Sequence, residues 1–104
     1  MFISVLGLTA VAAVSLAWAL KGDPAQGKVI FEQCQICHDG STVETKIGPG
    51  LKGLFKKEKM PSGKKTSNAN VMEKINQGGK QMPPHMNVLT DHEKENLLAY
   101  LMTL

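Results

Sequence analysis

The stretch Cys34-Gln35-Ile36-Cys37-His38 holds both cysteines of the chain, followed at once by one of its three histidines. C-x-x-C-H is the attachment signature of covalently bound haem. Cysteines at i and i+3 of a helical turn share a face, so both sulfurs can bond the two vinyl groups of one porphyrin. His38, four residues after Cys34, falls beneath the iron and offers an imidazole nitrogen as proximal ligand. Two other chemistries use such a pair. A thioredoxin-like dithiol calls for a βαβ pattern, which is absent, and a zinc site calls for further Cys or His at ligand spacing. His85 and His92 follow far away and at the wrong interval. The chain has no second C-x-x-C-H and no internal repeat, so the expectation is one haem.

These residues need elements to hold them. Asp23-Pro24 reads as an N-cap with proline in the first helical position. The helix it opens is expected to run through Val29, Ile30 and Phe31 into the cysteine motif and to end near His38, where Asp39-Gly40-Ser41-Thr42 breaks it. Residues 70–77 (NVMEKINQ) put Val71, Met72 and Ile75 on one side, with Gly78-Gly79 as the stop. Met72 on that face is expected in the core. Thr90-Asp91-His92-Glu93 is a capping box, with Thr90 as N-cap and Glu93 at the third helical position. The helix it starts is expected to reach the chain end, with Leu97, Leu98, Leu101 and Leu104 on one face and His92 toward solvent. The pattern is all-α.

Composition narrows the partners. The chain has 104 residues and a net charge of +3, and all of its 12 basic residues are lysines. Without arginine, and at so mild a charge, nucleic acid is not indicated. A lysine-rich surface suits an acidic protein partner met by electrostatic steering. Six lysines (Lys52, Lys56, Lys57, Lys59, Lys64 and Lys65) stand against one acid, Glu58, between positions 52 and 65. Read plainly, this is a solvated loop. A domain of roughly 85 residues is close to the size that needs a staple, and a covalent haem supplies one.

Gly48-Pro49-Gly50-Leu51-Lys52-Gly53-Leu54-Phe55, about ten residues after the haem motif, and the later Met82-Pro83 make the chain resemble class I cytochrome c. The resemblance runs from about Asp23 to the C-terminus. It implies a small all-α fold of three to four short helices wrapped around one covalently bound haem c. It also implies that the Pro49 carbonyl accepts a hydrogen bond from His38, orienting the ligand, with Leu51 and Leu54 in the haem pocket. The distal iron ligand implied is Met82, in the extended loop before the last helix. Met86 is the alternative, otherwise a wall of the crevice, and His85 and Met60 stand behind it. His85 is expected to face solvent. The six loop lysines become a docking surface near the haem edge. The first and last helices should cross, with Gly27, Phe31 and Tyr100 as the contact residues. Phe31 stands three residues before Cys34 where the family has four, a phase difference of about 100° that points to Ile30 in the packing role.

The function implied is one-electron transfer between redox partners under His38/Met82 ligation, without enzyme activity; the alternative is a haem-based sensor or peroxidase-like protein with a labile distal ligand. Partners are transient redox proteins with acidic surfaces, and the expected state is a monomer. Residues 1–20 (MFISVLGLTAVAAVSLAWAL) carry no charge and are mostly apolar. They read either as a signal peptide cut after Ala17-Trp18-Ala19 or as an uncleaved membrane anchor. No Lys or Arg precedes the apolar run, which an uncleaved anchor would explain and so would a start codon assigned too far downstream. Cleavage is the leading expectation. Residues 21–22 are then a linker and 23–104 the haem domain, exported to the periplasm as a soluble or tethered protein.

Overall fold

The computed structural model of the chain describes residues 22–104; the apolar segment 1–20 lies outside them. Among the described residues three α-helices carry the fold: α1 (Pro24–Phe31), α2 (Asn68–Gln77) and α3 (Asp91–Leu101). Short 3-10 turns follow at Glu32–Cys34 and Leu54–Lys56. Among the described residues there is no strand, and one isolated antiparallel bridge joins Lys59 to Lys65. No helix among these residues is long and apolar enough to cross a membrane.

Each helix begins on a side-chain cap that satisfies an otherwise orphaned amide. The Asp23 carboxylate accepts from Ala25 N at 2.9 Å, and the Ser67 hydroxyl from Asn70 N at 3.1 Å. Thr90 and Glu93 form the full capping box, at 3.1 and 2.9 Å. α2 stops at Gly78, whose φ of 67° costs glycine nothing. α3 ends at Leu101, short of the chain end, and the last residues turn back. The Leu104 carbonyl there accepts from Gly53 N at 2.9 Å.

α1 and α3 cross in close contact. A Cβ on Gly27 would lie 1.9 Å from the Asn96 carbonyl oxygen, so only glycine lets the backbones approach this far. Beside it Phe31, 1% exposed, meets Tyr100 with ring centroids 5.3 Å apart and planes tilted by 52°. Asn96 is buried in the crossing with its polar atoms paired. Its Oδ1 accepts from Asp23 N at 2.8 Å, and its Nδ2 donates to Gln26 Oε1 at 3.1 Å. The crossing is thus held by a glycine contact, an aromatic pair and one amide that ties the start of α1 to α3.

Two expectations change here. The first helix does not run unbroken to His38: α1 ends at Phe31 and tightens into the 3-10 turn before the second cysteine. The tightening also returns the packing role from Ile30 to Phe31. A 3-10 residue turns about 120° against about 100° in an α-helix, so three residues recover about 60° of the missing phase.

Candidate functional site

The chain stays coiled through the cysteine motif. Cys37 N and His38 N both bond to the Cys34 carbonyl, at 3.2 and 2.9 Å, which brings the two cysteines and the histidine to one side of the turn. Asp39 then ends the coil. Its carboxylate accepts from the Ser41 hydroxyl at 2.7 Å and the Ser41 amide at 2.8 Å, and these two bonds, with Lys46 nearby, hold it below the usual carboxylate range. Cys34 and Cys37 are free thiols, both partly buried. Burial, and secondarily the neighbouring Cys37, pushes the Cys34 thiol up.

The Gly48–Leu51 segment runs beside this turn. Gly48 N donates to the Cys37 carbonyl at 2.7 Å and Leu51 N to the Asp39 carbonyl at 2.8 Å, bracketing His38. Between them His38 Nδ1–H donates to the Pro49 carbonyl at 2.8 Å. A carbonyl can only accept, so the proton is on Nδ1 and Nε2 keeps its lone pair. Gly48 is required by this approach, because a Cβ there would lie 2.6 Å from the imidazole Cε1.

The loop after α2 forms a further part of the same region. Gly78 lets the chain fold back so closely that a Cβ would lie 2.3 Å from the Met82 carbonyl oxygen. Gly79 and Met82 exchange both main-chain bonds, at 3.0 and 3.1 Å, which fixes the Met82 backbone. Between these walls is a cavity of about 600 Å³. Cys34, Cys37, His38 and Met82 all line it, as do Pro49, Leu51 and Leu54.

The rivals for the distal position separate. Met86 is not on the wall; it is 52% exposed, and its carbonyl accepts from Lys94 Nζ at 3.1 Å. The crevice-wall role is therefore corrected. Met60 lines the cavity as a buried core residue. His85 is corrected as well, since it lies partly buried on the wall and its Nδ1 is covered by protein. His92 is exposed. None of the six loop lysines lines the cavity. Lys52, Lys56 and Lys57 line a separate hollow with Leu104, and Lys64 pairs with Glu73 at 2.7 Å. The lysines on the cavity wall are Lys74 and Lys80. The exposed Ile36 and Ile47 lie there too.

A protein-family model described as cytochrome C oxidase, cbb3-type, subunit III matches residues 22–101. The chain belongs to the class I cytochrome c family. Cytochrome c2 of Blastochloris viridis is 46% identical over 52 residues, which cover 49% of this chain and 40% of that protein. The chain thus matches less than half of that relative's length. The structure of cytochrome c6 from the diatom Phaeodactylum tricornutum superposes with a TM-score of 0.62 at 25% identity, covering 79% of this chain and 93% of that one. The all-α cytochrome c fold is shared, and the cofactor of such a cytochrome is one covalently attached haem c.

The residues present fit that group. A mostly apolar cavity carries two thiols, a histidine with a defined tautomer and a thioether. Among the described residues no three of His, Cys, Asp and Glu gather as a metal site would need, so the cysteine pair has no companions for zinc. Reading the sequence missed three residues at the cavity, Gly48, Lys74 and Lys80, and misplaced His85 toward solvent. The Gly48 contact with the imidazole and the place of Lys74 and Lys80 beside the cavity depend on loop paths that no local pattern encodes. His85 had a signal, since a histidine between Pro84 and Met86 in the distal loop is held by that loop's own fold.

Proposed function

We propose that this cytochrome c is a one-electron carrier between redox proteins. Cys34 and Cys37 hold the haem through two thioethers, His38 is its proximal ligand and Met82 its distal ligand. The supporting observation is a single cavity with Cys34, Cys37, His38 and Met82 on its wall while Met86 lies outside. The bound haem supplies the Fe(III)/Fe(II) couple. Pro49 keeps the His38 proton on Nδ1 and strengthens the other nitrogen as a donor. The Met82 thioether, a soft neutral ligand, favours the reduced state and so raises the potential. With a protein donor on each side, no position is left for substrate, which favours a carrier over a sensor or peroxidase-like protein. Leu51 and Leu54 exclude water from the cavity wall.

Docking is assigned to the surface around the cavity mouth. There Lys74 and Lys80 offer charge, and Ile36 and Ile47 offer apolar contact. The six loop lysines extend the positive field and steer an acidic partner from a distance, an effect that falls with ionic strength. Covalent attachment of this kind is made outside the cytoplasmic membrane. With the uncharged apolar segment 1–20, this supports an exported, periplasmic protein, monomeric, and either released by cleavage or tethered.

The test is the visible spectrum of the haem-loaded protein, oxidised, reduced, and reduced under carbon monoxide. The far-red thioether-to-iron band is expected in the wild type, lost in Met82→Ala and kept in Met86→Ala, with no carbon monoxide shift in the wild type. A wild type without the band that binds carbon monoxide readily would refute the carrier.

A further inference from the structure

The distal loop brings a second iron-binding side chain to the cavity. His85 lines the same cavity as Met82, three residues further along the chain. Its backbone is anchored at both polar groups: its N–H donates to the Ile75 carbonyl at 2.9 Å, and its carbonyl accepts from Val88 N and Leu89 N at 3.1 and 3.2 Å. The main chain that carries the ring is therefore held in place beside the cavity.

The imidazole has an unusual electronic setting. Its Nδ1 is buried with no hydrogen-bond partner, and so is Oδ1 of Asn76. The two residues sit on neighbouring stretches of backbone, joined by the His85–Ile75 bond and by Met86 N to the Asn76 carbonyl at 3.2 Å. A buried donor or acceptor left unpaired costs about 1–3 kcal/mol, so two such atoms on directly bonded stretches of backbone mark an incomplete arrangement. One is a nitrogen able to carry a proton, and the other is an oxygen that can only accept. Joining them fixes the proton on Nδ1 and leaves Nε2 as a lone-pair donor. This is the pattern that Pro49 imposes on His38, which lines the same cavity.

We infer that His85 is a reserve ligand that takes the distal iron position when Met82 does not hold it, with Asn76 as its orienting acceptor. The inference rests on Met82 being the resident ligand. Between two donors on one loop, the thioether is favoured with Fe(II) and the imidazole with Fe(III), so the exchange is favoured in the oxidised protein. The iron then stays six-coordinate and closed to small ligands although the methionine is gone.

The experiment uses haem-loaded wild type, Met82→Ala and Met82→Ala/His85→Ala, read by oxidised and reduced spectra and by carbon monoxide titration. The wild type should show the thioether band. Met82→Ala should lose it yet stay low-spin, and the double variant should become high-spin. If His85 holds the iron in nine molecules of ten, the single variant binds carbon monoxide about tenfold more weakly than the double. Adding Asn76→Leu to Met82→Ala should raise the high-spin fraction.

A high-spin Met82→Ala with the double variant's carbon monoxide affinity overturns the reserve ligand and leaves Met82 standing. Low-spin spectra in both variants assign the position to another donor on the wall, Met60, Lys74 or Lys80, and also overturn it. A wild type whose spectrum is unchanged by Met82→Ala removes the Met82 assignment and this inference with it. Wild-type helix content by far-ultraviolet circular dichroism is required of each variant. Where His85→Ala fails that, His85→Phe refills the ring volume without a nitrogen and replaces it.

Discussion

Gly27→Ala sets two physical terms of opposite sign against each other. Inside an exposed helix the change stabilises by about 1 kcal/mol, because alanine is the better helix former. Here the new methyl group would lie 1.9 Å from the Asn96 carbonyl oxygen, 2.6 Å from its carbon and 2.8 Å from Tyr100 Cβ. Two of these atoms are backbone and cannot turn aside. Ordinary contact begins at 3.4 Å, so α1 and α3 must part by about 1.5 Å. Overpacking of this kind costs about 1–3 kcal/mol. The parting also loosens the Phe31–Tyr100 pair, worth about 0.5–1.5 kcal/mol. It stretches the Asn96 bonds to Asp23 and Gln26 as well, at about 1 kcal/mol each. The loss outweighs the propensity gain, and the net is a destabilisation of about 3 kcal/mol. In a domain of this size that lowers Tm by about 12–24 °C. The assay is thermal and urea unfolding of the haem-loaded protein, with Val29→Ala on the exposed face of α1 (64% exposed) as a control expected within about 0.5 kcal/mol of wild type. A Gly27→Ala protein as stable as wild type would refute the close crossing.

Other substitutions probe other joints. Phe31→Ala empties the centre of the same crossing and should cost about 3–5 kcal/mol in urea unfolding, whereas Ile30→Ala, at a partly buried site, should cost less. Gly48→Ala places a methyl against the His38 ring and should break the bond to Pro49. The Nδ1 proton of His38, protected from exchange in the wild type, should then exchange with solvent, and stability should fall by about 1–3 kcal/mol. The Lys64 hydrogen bond and charge hold the Glu73 carboxyl below the ordinary glutamate range. Because the folded value is depressed, that pair's contribution is present above the ordinary range and disappears as pH falls through the folded value. Urea midpoints of wild type and Glu73→Gln should therefore differ slightly at neutral pH and converge in acid; a gap that widens on acidification contradicts the sign.

What was legible in the sequence was whatever local chemistry dictates. Asp23-Pro24, Thr90 to Glu93 and Gly78-Gly79 announced two helix starts and one stop, because caps and glycine stops act within a few residues. The haem motif and the Gly-Pro-Gly turn announced the proximal side, and His38 does bond Pro49 as the family resemblance implied. Less legible was anything set by how distant segments fit. The helix-to-3-10 change after Phe31 goes with a contact to Tyr100, 69 positions away in the chain. The inward place of His85 and the outward one of Met86 are decided by bonds from their amides to the carbonyls of Ile75 and Asn76. The lysine-rich loop was correctly seen as a charged, exposed stretch, but which side of the molecule it faces is a tertiary matter.

The same geometry explains why so small a chain needs its cofactor. α1 and α3 pack directly on each other, whereas α2 touches α3 only lightly and gives its apolar side, Val71 and Ile75, to the core beneath the cavity. The cavity runs between these two halves, with Val71, Leu54 and Met60 on its wall together with Leu101 of α3. Filled by an apolar disc, it extends the one core that α1, α2 and α3 already share; left to water, its apolar lining loses much of its hydrophobic gain. The proposed attachments bridge the same divide. Both thioether cysteines and His38 follow α1, and Met82 follows α2. Ligation from both sides therefore couples the α1–α3 pair to α2, so loss of Met82 should loosen the domain as well as change its iron. A donor such as His85, anchored to the end of α2, would restore the bridge along with the ligand.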